Sequence, residues 1–248
     1  MFDLSGKRIL VTGATGAIGG ATARRLAEAG AQVAITGRNE ERLRAVYNGL
    51  PGQGRRMIPA DLSDLGGIAS LVEQAADGQG LWGLVHCAGG GSITPLRAIS
   101  ANILQEHMQV NFYAFVELVR QMTKKKNLDP AGGSIVGISS FASDQGEQGQ
   151  TAYSAAKAAL DASVRTLSFE LAPKGVRINS IRPGMIESEA TEQYLRDMGR
   201  ERFDDLVSKQ LLGLGKPEYV ANYCLFLISD EGRFVTGRNV YLDGGRFA

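Results

Sequence analysis

Tyr153 and Lys157 stand four residues apart in Tyr153-Ser-Ala-Ala-Lys157. Residues 151–171 read as a helix, so both side chains leave one face, about one turn apart. A phenol ionises near pH 10 in water, too high for proton transfer at pH 7. A neighbouring ammonium favours the phenolate, and the pairing predicts a Tyr pKa drawn downward into a useful range. Alone, the spacing also fits an exposed Tyr beside a surface Lys. The order of the other polar residues along the chain favours the chemical reading.

Asn111 is the second such residue. Apolar side chains recur at Leu104, Met108, Phe115, Leu118 and Met122 in helical steps, and Asn111 falls on that stripe. An amide on a buried stripe costs free energy unless it is hydrogen-bonded, so it must have a partner. Ser139 and Ser140 follow a short apolar run, 134–138, which places two hydroxyls where a strand gives way to a turn. In open α/β sheets that edge is where ligands bind, although a Ser pair there is also ordinary turn chemistry.

A different chemistry is written near the N-terminus. Thr12-Gly13-Ala14-Thr15-Gly16-Ala17-Ile18-Gly19 lies between an apolar run, 8–12, and a stretch of helical periodicity, 17–29. Glycines let backbone pass close to a pyrophosphate, and the following helix offers N–H donors and a positive dipole end. Enzymes that use NAD commonly carry an acid for the adenosine ribose roughly 20 residues past this turn. Here the window reads Thr36-Gly37-Arg38, and the first acid is Glu40. The Arg38 guanidinium suits a 2′-phosphate, so the expected cofactor is NADPH/NADP+, with NADH less favoured.

These groups need a scaffold. Apolar runs at 8–12, 32–36, 56–59, 81–88, 134–139, 177–181 and 239–242 alternate with helical stretches. Asn39 caps one helix, with Glu40 and Glu41 in its first turn; Ser63 or Asp64 caps another that ends near Ala76. The alternation predicts an α/β fold, a doubly wound Rossmann-type parallel sheet of about seven strands with helices on both faces. No repeat or linker interrupts it. Residues 1–248 read as a single domain, with 1–90 mainly the coenzyme-binding half and 91–248 the catalytic half.

The chain of 248 residues carries 27 Lys and Arg against 26 Asp and Glu, so it has no basic field for nucleic acid. Lys124, Lys125 and Lys126 form a cationic run where a helix should end, which suits the dipole. Cys87 and Cys224 sit in apolar contexts and read as reduced core thiols. Without an apolar leader or a bilayer-length run, the expectation is a cytoplasmic protein with no membrane partner. No metal-ligand set is visible.

Together these residues resemble the classical short-chain dehydrogenase/reductase family over essentially the whole chain, most of all its 3-oxoacyl-[acyl-carrier-protein] reductase-type members. The matching pieces are the Gly-rich turn, Asp61-Leu62, Ala88-Gly89, Asn111, Ser140, Tyr153 with Lys157, Arg182-Pro183-Gly184, and Val235-Thr-Gly-Arg-Asn-Val-Tyr-Leu-Asp-Gly-Gly245. In that branch the catalytic Ser precedes the Tyr by thirteen, and 153 − 140 = 13 selects Ser140. The resemblance implies reduction of a ketone to a secondary alcohol, with catalytic residues Asn111, Ser140, Tyr153 and Lys157. Tyr153 would pass a proton to the carbonyl oxygen, Ser140 would orient that oxygen, and Asn111 would hold a water linking Lys157 to solvent. Lys157 would also hold the nicotinamide ribose. For the coenzyme it implies Gly13, Thr15, Gly16, Ile18, Gly19, Arg38, Asp61, Leu62, Ala88, Gly89, Tyr153, Lys157, Pro183, Gly184, Ile186 and Ser188.

Some positions depart from the family pattern. Ala17 stands where the family has Gly, and position 16, basic in many NADPH-dependent members, is Gly. The usual Asn-Asn-Ala-Gly is His86-Cys87-Ala88-Gly89, and His86 and Cys87 read as strand-end packing. The substrate is left open. The polar loop 141–150, with Asp144, Gln145, Glu147, Gln148 and Gln150, suggests a keto-sugar, polyol or other small hydroxylated carbonyl. The resemblance suggests a carrier-protein- or CoA-bound 3-oxoacyl group. Residues 187–212 read as a mobile lid of two helical pieces, with Leu195, Met198, Phe203 and Leu206 available to cover the site. Arg196, Arg200 and Arg202 could meet an acidic carrier, or form a solvated helix face. A nucleotide-sensing protein without turnover is the alternative outside catalysis. An extended-family epimerase fits poorly, because it would need more chain after the last strand. A homotetramer is expected: alanines at 155, 156, 158, 159 and 162, and Phe112, Val116 and Val119, lie on the two helices that pair across two-fold axes in the family.

Overall fold

The structure is a computed structural model, and it describes residues 2–247. Seven strands form one parallel sheet: β1 (Arg8–Thr12), β2 (Gln32–Thr36), β3 (Arg56–Met57), β4 (Gly83–His86), β5 (Gly133–Ile138), β6 (Val176–Pro183) and β7 (Asn239–Leu242). Their spatial order is β3-β2-β1-β4-β5-β6-β7. Period-two alternation sends neighbouring residues to opposite faces. Thus Leu10, Leu84, Ile135 and Ile178 join one apolar core, and Val11, Val85, Val136 and Ile181 join the other.

Helices α1 (Ala17–Glu28), α2 (Glu40–Gly49) and α3 (Ile68–Ala76) follow the first three strands. After β4 come α4 (Ala101–Met108), a π-helical turn (Gln109–Tyr113) and α5 (Ala114–Met122), which run on as one rod. The rest are α6 (Thr151–Leu171), α7 (Glu189–Met198), α8 (Arg200–Ser208) and α9 (Pro217–Ile228). Leu26 of α1, Leu43 of α2 and Leu225 of α9 fill one core; Leu71 of α3, Phe115 of α5 and Val164 of α6 fill the other. The order of the strands reverses between β1 and β4. Such a switch point opens a cleft beyond the carboxyl ends of the strands.

Local signals set most element starts. Asn39 accepts from the Arg42 N–H at 2.9 Å and caps α2. Asp64, rather than Ser63, caps the turn before α3, accepting from the Gly66 N–H at 3.0 Å. The strands expected at 56–59 and 81–88 are shorter, and that at 177–181 is longer. Strand ends follow pairing with neighbours, which apolar runs do not encode. The stripe through Asn111 also differs from expectation. Leu104 is exposed and Met108 half-exposed, because the π-helical turn shifts the register before Phe115, Leu118 and Met122 enter the core.

Candidate active site

Two adjoining cavities fill the cleft and share Gly13, Gly16, Cys87 and residues 89–92. The first is lined by Thr15, Arg38, Asp61, Leu62, Ala88 and Asn111. The second is lined by Ile18, Gly19, Ser140, Tyr153, Lys157, Pro183, Gly184, Ile186 and Ser188. Every residue expected at the site therefore lies on one continuous cleft.

The Gly-rich turn is built for backbone approach. A Cβ on Gly19 would stand 2.2 Å from the Gly13 carbonyl oxygen, and one on Gly13 would stand 2.6 Å from the Ala88 nitrogen. Gly13 also has φ +64°, which favours glycine. The N-terminus of α1 has no side-chain cap and no acid in its first turn, so its N–H groups and dipole face the cleft. Ala17, where the family has Gly, is exposed and lines the second cavity. Arg38 is exposed on the rim and has no hydrogen-bond or ion-pair partner among the described residues. Asp61 is held below the usual carboxylate range by the N–H and hydroxyl of Ser63, with a smaller contribution from Arg38. An uncapped helix start, a glycine cradle and a free guanidinium fit a phosphorylated dinucleotide.

At the other end, α6 brings Tyr153 and Lys157 to the cleft, and the turn after β5 brings Ser140. Ser140 Oγ accepts from the Ala142 N–H at 3.1 Å, and Ser140 and Tyr153 line the same cavity wall. Ser139 is turned away, toward the Lys157 carbonyl at 3.5 Å. Lys157 is 3 % exposed, and its ammonium donates to the Ile138 carbonyl at 2.7 Å. Burial pushes it down to about 8, against the opposing charge of Asp161.

The expectation for Tyr153 is corrected here. Its phenol is pushed up, not down, because burial outweighs the opposing influence of the nearby Ser140 hydroxyl. Lys157 Nζ lies 5.8 Å from the ring centre and is committed to the Ile138 carbonyl, so it gives the phenolate no resolved support in this arrangement.

Asn111 finds the partners its position demanded. Its Nδ2 donates to the carbonyls of His107 at 2.8 Å and Gly90 at 3.2 Å. Its Oδ1 is buried without a partner among the described residues. A Cβ on Gly89 would reach that oxygen at 2.4 Å and Lys157 Nζ at 3.0 Å, so both polar groups border the same small space.

His86 is fully buried in a chain of hydrogen bonds. The Ala88 N–H donates to Thr12 Oγ1 at 3.2 Å, Thr12 Oγ1 donates to His86 Nδ1 at 3.0 Å, and His86 Nε2 donates to the Val110 carbonyl at 3.2 Å. A carbonyl only accepts, which fixes the neutral tautomer; burial also pushes the ring pKa down to about 3. His86 thus ties β1 and β4 to the turn that carries Asn111. Cys87 is half-buried beside the cleft, with its thiol pushed up to about 12 by burial. Both cysteines are free thiols.

Three residues of the site carried no sequence signal. Gly91 packs against the Tyr153 ring, His107 meets that ring edge-on at 6.4 Å between centroids, and Tyr194 of α7 lines the cleft. Only the last lay in a segment already expected to cover the site. Phe203 and Leu206 are buried beneath the two-helix segment rather than over the cleft, where Ser188, Ala190, Thr191 and Tyr194 stand instead. Arg196 and Arg200 pair within their own helices with Glu192 at 4.0 Å and Asp204 at 3.7 Å.

The polar loop is largely occupied with the protein itself. Asp144 meets the Tyr241 hydroxyl and Arg182, Glu147 binds Arg246 at 2.7 Å, and Gln150 donates to the Tyr194 hydroxyl at 2.7 Å.

A family model described as enoyl-(acyl carrier protein) reductase matches residues 13–246. The chain belongs to the short-chain dehydrogenase/reductase family. It is an NAD(P)-dependent oxidoreductase by that membership. The 3-oxoacyl-[acyl-carrier-protein] reductase of Rickettsia felis is 36% identical over 246 residues, 99% of this chain and 98% of that protein. A short-chain type dehydrogenase/reductase from Mycobacterium ulcerans superposes with a TM-score of 0.91 at 31% identity, covering 98% of this chain and 90% of that one. A blue fluorescent protein from a metagenomic library, solved in complex with NADPH, gives 0.89 at 31% identity over 99% of this chain and 100% of that one. Among the described residues no helix is long and apolar enough to cross a membrane.

Proposed function

We propose that this protein is an NADPH-dependent reductase of a 3-oxoacyl thioester. The observation that carries the chemistry is Ser140, Tyr153 and a buried Lys157 together on one wall of the cleft whose other end holds the glycine turn and Arg38. The bound coenzyme supplies hydride to the substrate carbonyl carbon. Tyr153 gives its phenolic proton to the carbonyl oxygen, and burial suits this direction because it keeps the phenol protonated. Ser140 orients the same oxygen by hydrogen bonding. Lys157 holds the nicotinamide ribose and stays an ammonium below about pH 8. The unpartnered Asn111 Oδ1, bordering the space beside Lys157, suits a water that returns protons from solvent. Ile186 and Ser188, with Pro183-Gly184, flank the nicotinamide, and Arg38 reads the 2′-phosphate.

The substrate assignment draws on two supports. The similar reductase from Rickettsia felis acts, by its name, on carrier-bound 3-oxoacyl groups. The two acids of the polar loop, Asp144 and Glu147, which would favour a hydroxylated substrate, are already bound within the protein. A panel of acetoacetyl thioesters, keto-sugars and simple ketones, followed by NADPH absorbance, tests it. Thioester turnover well above the others is expected, and selective turnover of a keto-sugar would replace the assignment.

We also infer a homotetramer. Ala155 and Ala162 of α6 are exposed, and Phe112 and Val116 are half-exposed, on the helices that pair in the family. Ala156 and Val119 do not contribute, since both are buried in this chain's own core.

A further inference from the structure

One buried carboxylate plays no part in the chemistry above. Asp161 lies on α6 one turn beyond Lys157 and is 1 % exposed. Its Oδ1 accepts from Ser180 Oγ at 2.6 Å and Asn239 Nδ2 at 3.2 Å. Its Oδ2 accepts from Ser143 Oγ at 2.5 Å and Arg182 Nε at 2.7 Å. The donors come from β6, β7 and the turn after β5. Ser143 closes the short turn Phe141–Ser143, and Ser140 is the cap at its start. Arg182 directly precedes Pro183-Gly184, and its guanidinium lies over the Tyr241 ring at 5.0 Å. Buried ion pairs of this kind often add no stability over a well-packed apolar set. Stability alone therefore does not account for the arrangement.

We propose that Asp161 is a positioning residue: its carboxylate rivets the turn carrying Ser140, and the strand end leading into Pro183-Gly184, to the helix carrying Tyr153 and Lys157. The proposal rests on Ser140, Tyr153 and Lys157 being the reacting set. A hydroxyl and a phenol that must meet the same carbonyl oxygen need sub-ångström placement, and they come from different elements. Asp161 is where those elements converge.

The same carboxylate acts on Lys157 electrostatically. Its charge holds the buried ammonium up against desolvation. The other titratable groups facing Lys157 are neutral near pH 7. His86 is pushed down to about 3 and Cys87 up to about 12, both by burial. The Tyr153 phenol is also pushed up by burial, and His107 beyond it is pushed down. Around Asp161 itself the charged groups are Arg182 and, behind it, Asp144. Removing the Asp161 charge therefore lowers the pH at which Lys157 loses its proton.

The test compares wild type with Asp161→Asn, which keeps the shape and removes the charge. Competitive trace acetylation with peptide mass spectrometry reads the Lys157 titration midpoint and needs no substrate. A midpoint about one pH unit lower is expected, the scale of two charges about one helical turn apart in a partly buried setting. Turnover should fall at least about tenfold, with KM and NADPH affinity nearly unchanged and the alkaline limb of the pH profile moved to lower pH. Ser180→Ala, which removes one donor and keeps the charge, should leave the midpoint in place. Wild-type turnover with an unmoved midpoint in Asp161→Asn would overturn the proposal, even if the variant melts at lower temperature. Should that variant not fold, Ser143→Ala decides: reduced turnover at unchanged NADPH affinity supports the rivet, and unchanged turnover overturns it. Full turnover in Tyr153→Phe would instead refute the reacting set, and the Lys157 midpoint would still report on Asp161 alone.

Discussion

Gly91 lies against the face of the Tyr153 ring, so close that a Cβ at position 91 would come within 2.6 Å of Tyr153 Cγ and 2.7 Å of Cδ2. The missing side chain sets where the phenol stands. Its neighbour Gly90 has nothing within 4 Å of such an atom. Gly91→Ala should displace the ring and lower turnover by about tenfold to a hundredfold, the usual effect of misplacing a reacting group by up to an ångström. Gly90→Ala should be tolerated. Steady-state kinetics on the pair checks this, and equal behaviour of the two variants would count against steric placement of Tyr153.

Tyr153→Phe removes the proton donor while keeping the ring that packs on Gly91 and His107. Turnover should drop by about two to four orders of magnitude, the weight general acid catalysis carries. NADPH binding, followed by fluorescence titration, should stay close to wild type. Undiminished turnover would remove Tyr153 from the mechanism.

The coenzyme prediction follows from Arg38, which has no partner of its own among the described residues. Losing a charge-assisted contact costs about 1.5–3 kcal/mol, or roughly tenfold to over a hundredfold in affinity. Arg38→Ala should weaken NADPH binding by that factor and leave NADH binding nearly unaltered. Parallel losses for both coenzymes would show that Arg38 does not read the 2′-phosphate.

Light scattering at micromolar concentration should give a mass near 4 × 26.4 = 105.6 kDa for a tetramer. A mass of 26.4 kDa would refute the assembly. A stable dimer would leave one of the two expected interfaces.

Much of this site could be read from residue order, because its members are tied to places where elements begin or end. The Gly-rich turn sits between β1 and α1, Ser140 sits just past β5, and the Tyr153–Lys157 spacing is a property of any helix. Asn111 was legible as an amide on an apolar stripe. The stripe itself was misread at Leu104, since a π-helical turn shifts register without changing composition.

The loop 141–150 shows where such reading stops. Asp144 and Glu147 look free for a ligand in the linear chain, yet their partners Tyr241 and Arg246 arrive from about a hundred residues away.

What the sequence by itself determined is the alternation of buried strands and helices, the glycine turn with Arg38 beyond it, and the helical pairing of Tyr153 with Lys157. All of these are local, set by periodicity, backbone freedom and side-chain type. The tertiary structure alone decided the direction in which Tyr153 titrates, the packing of Gly91 on its ring, and the convergence of four donors on Asp161. Each depends on desolvation or contact between segments distant in the chain, and neither is encoded by any single stretch of residues.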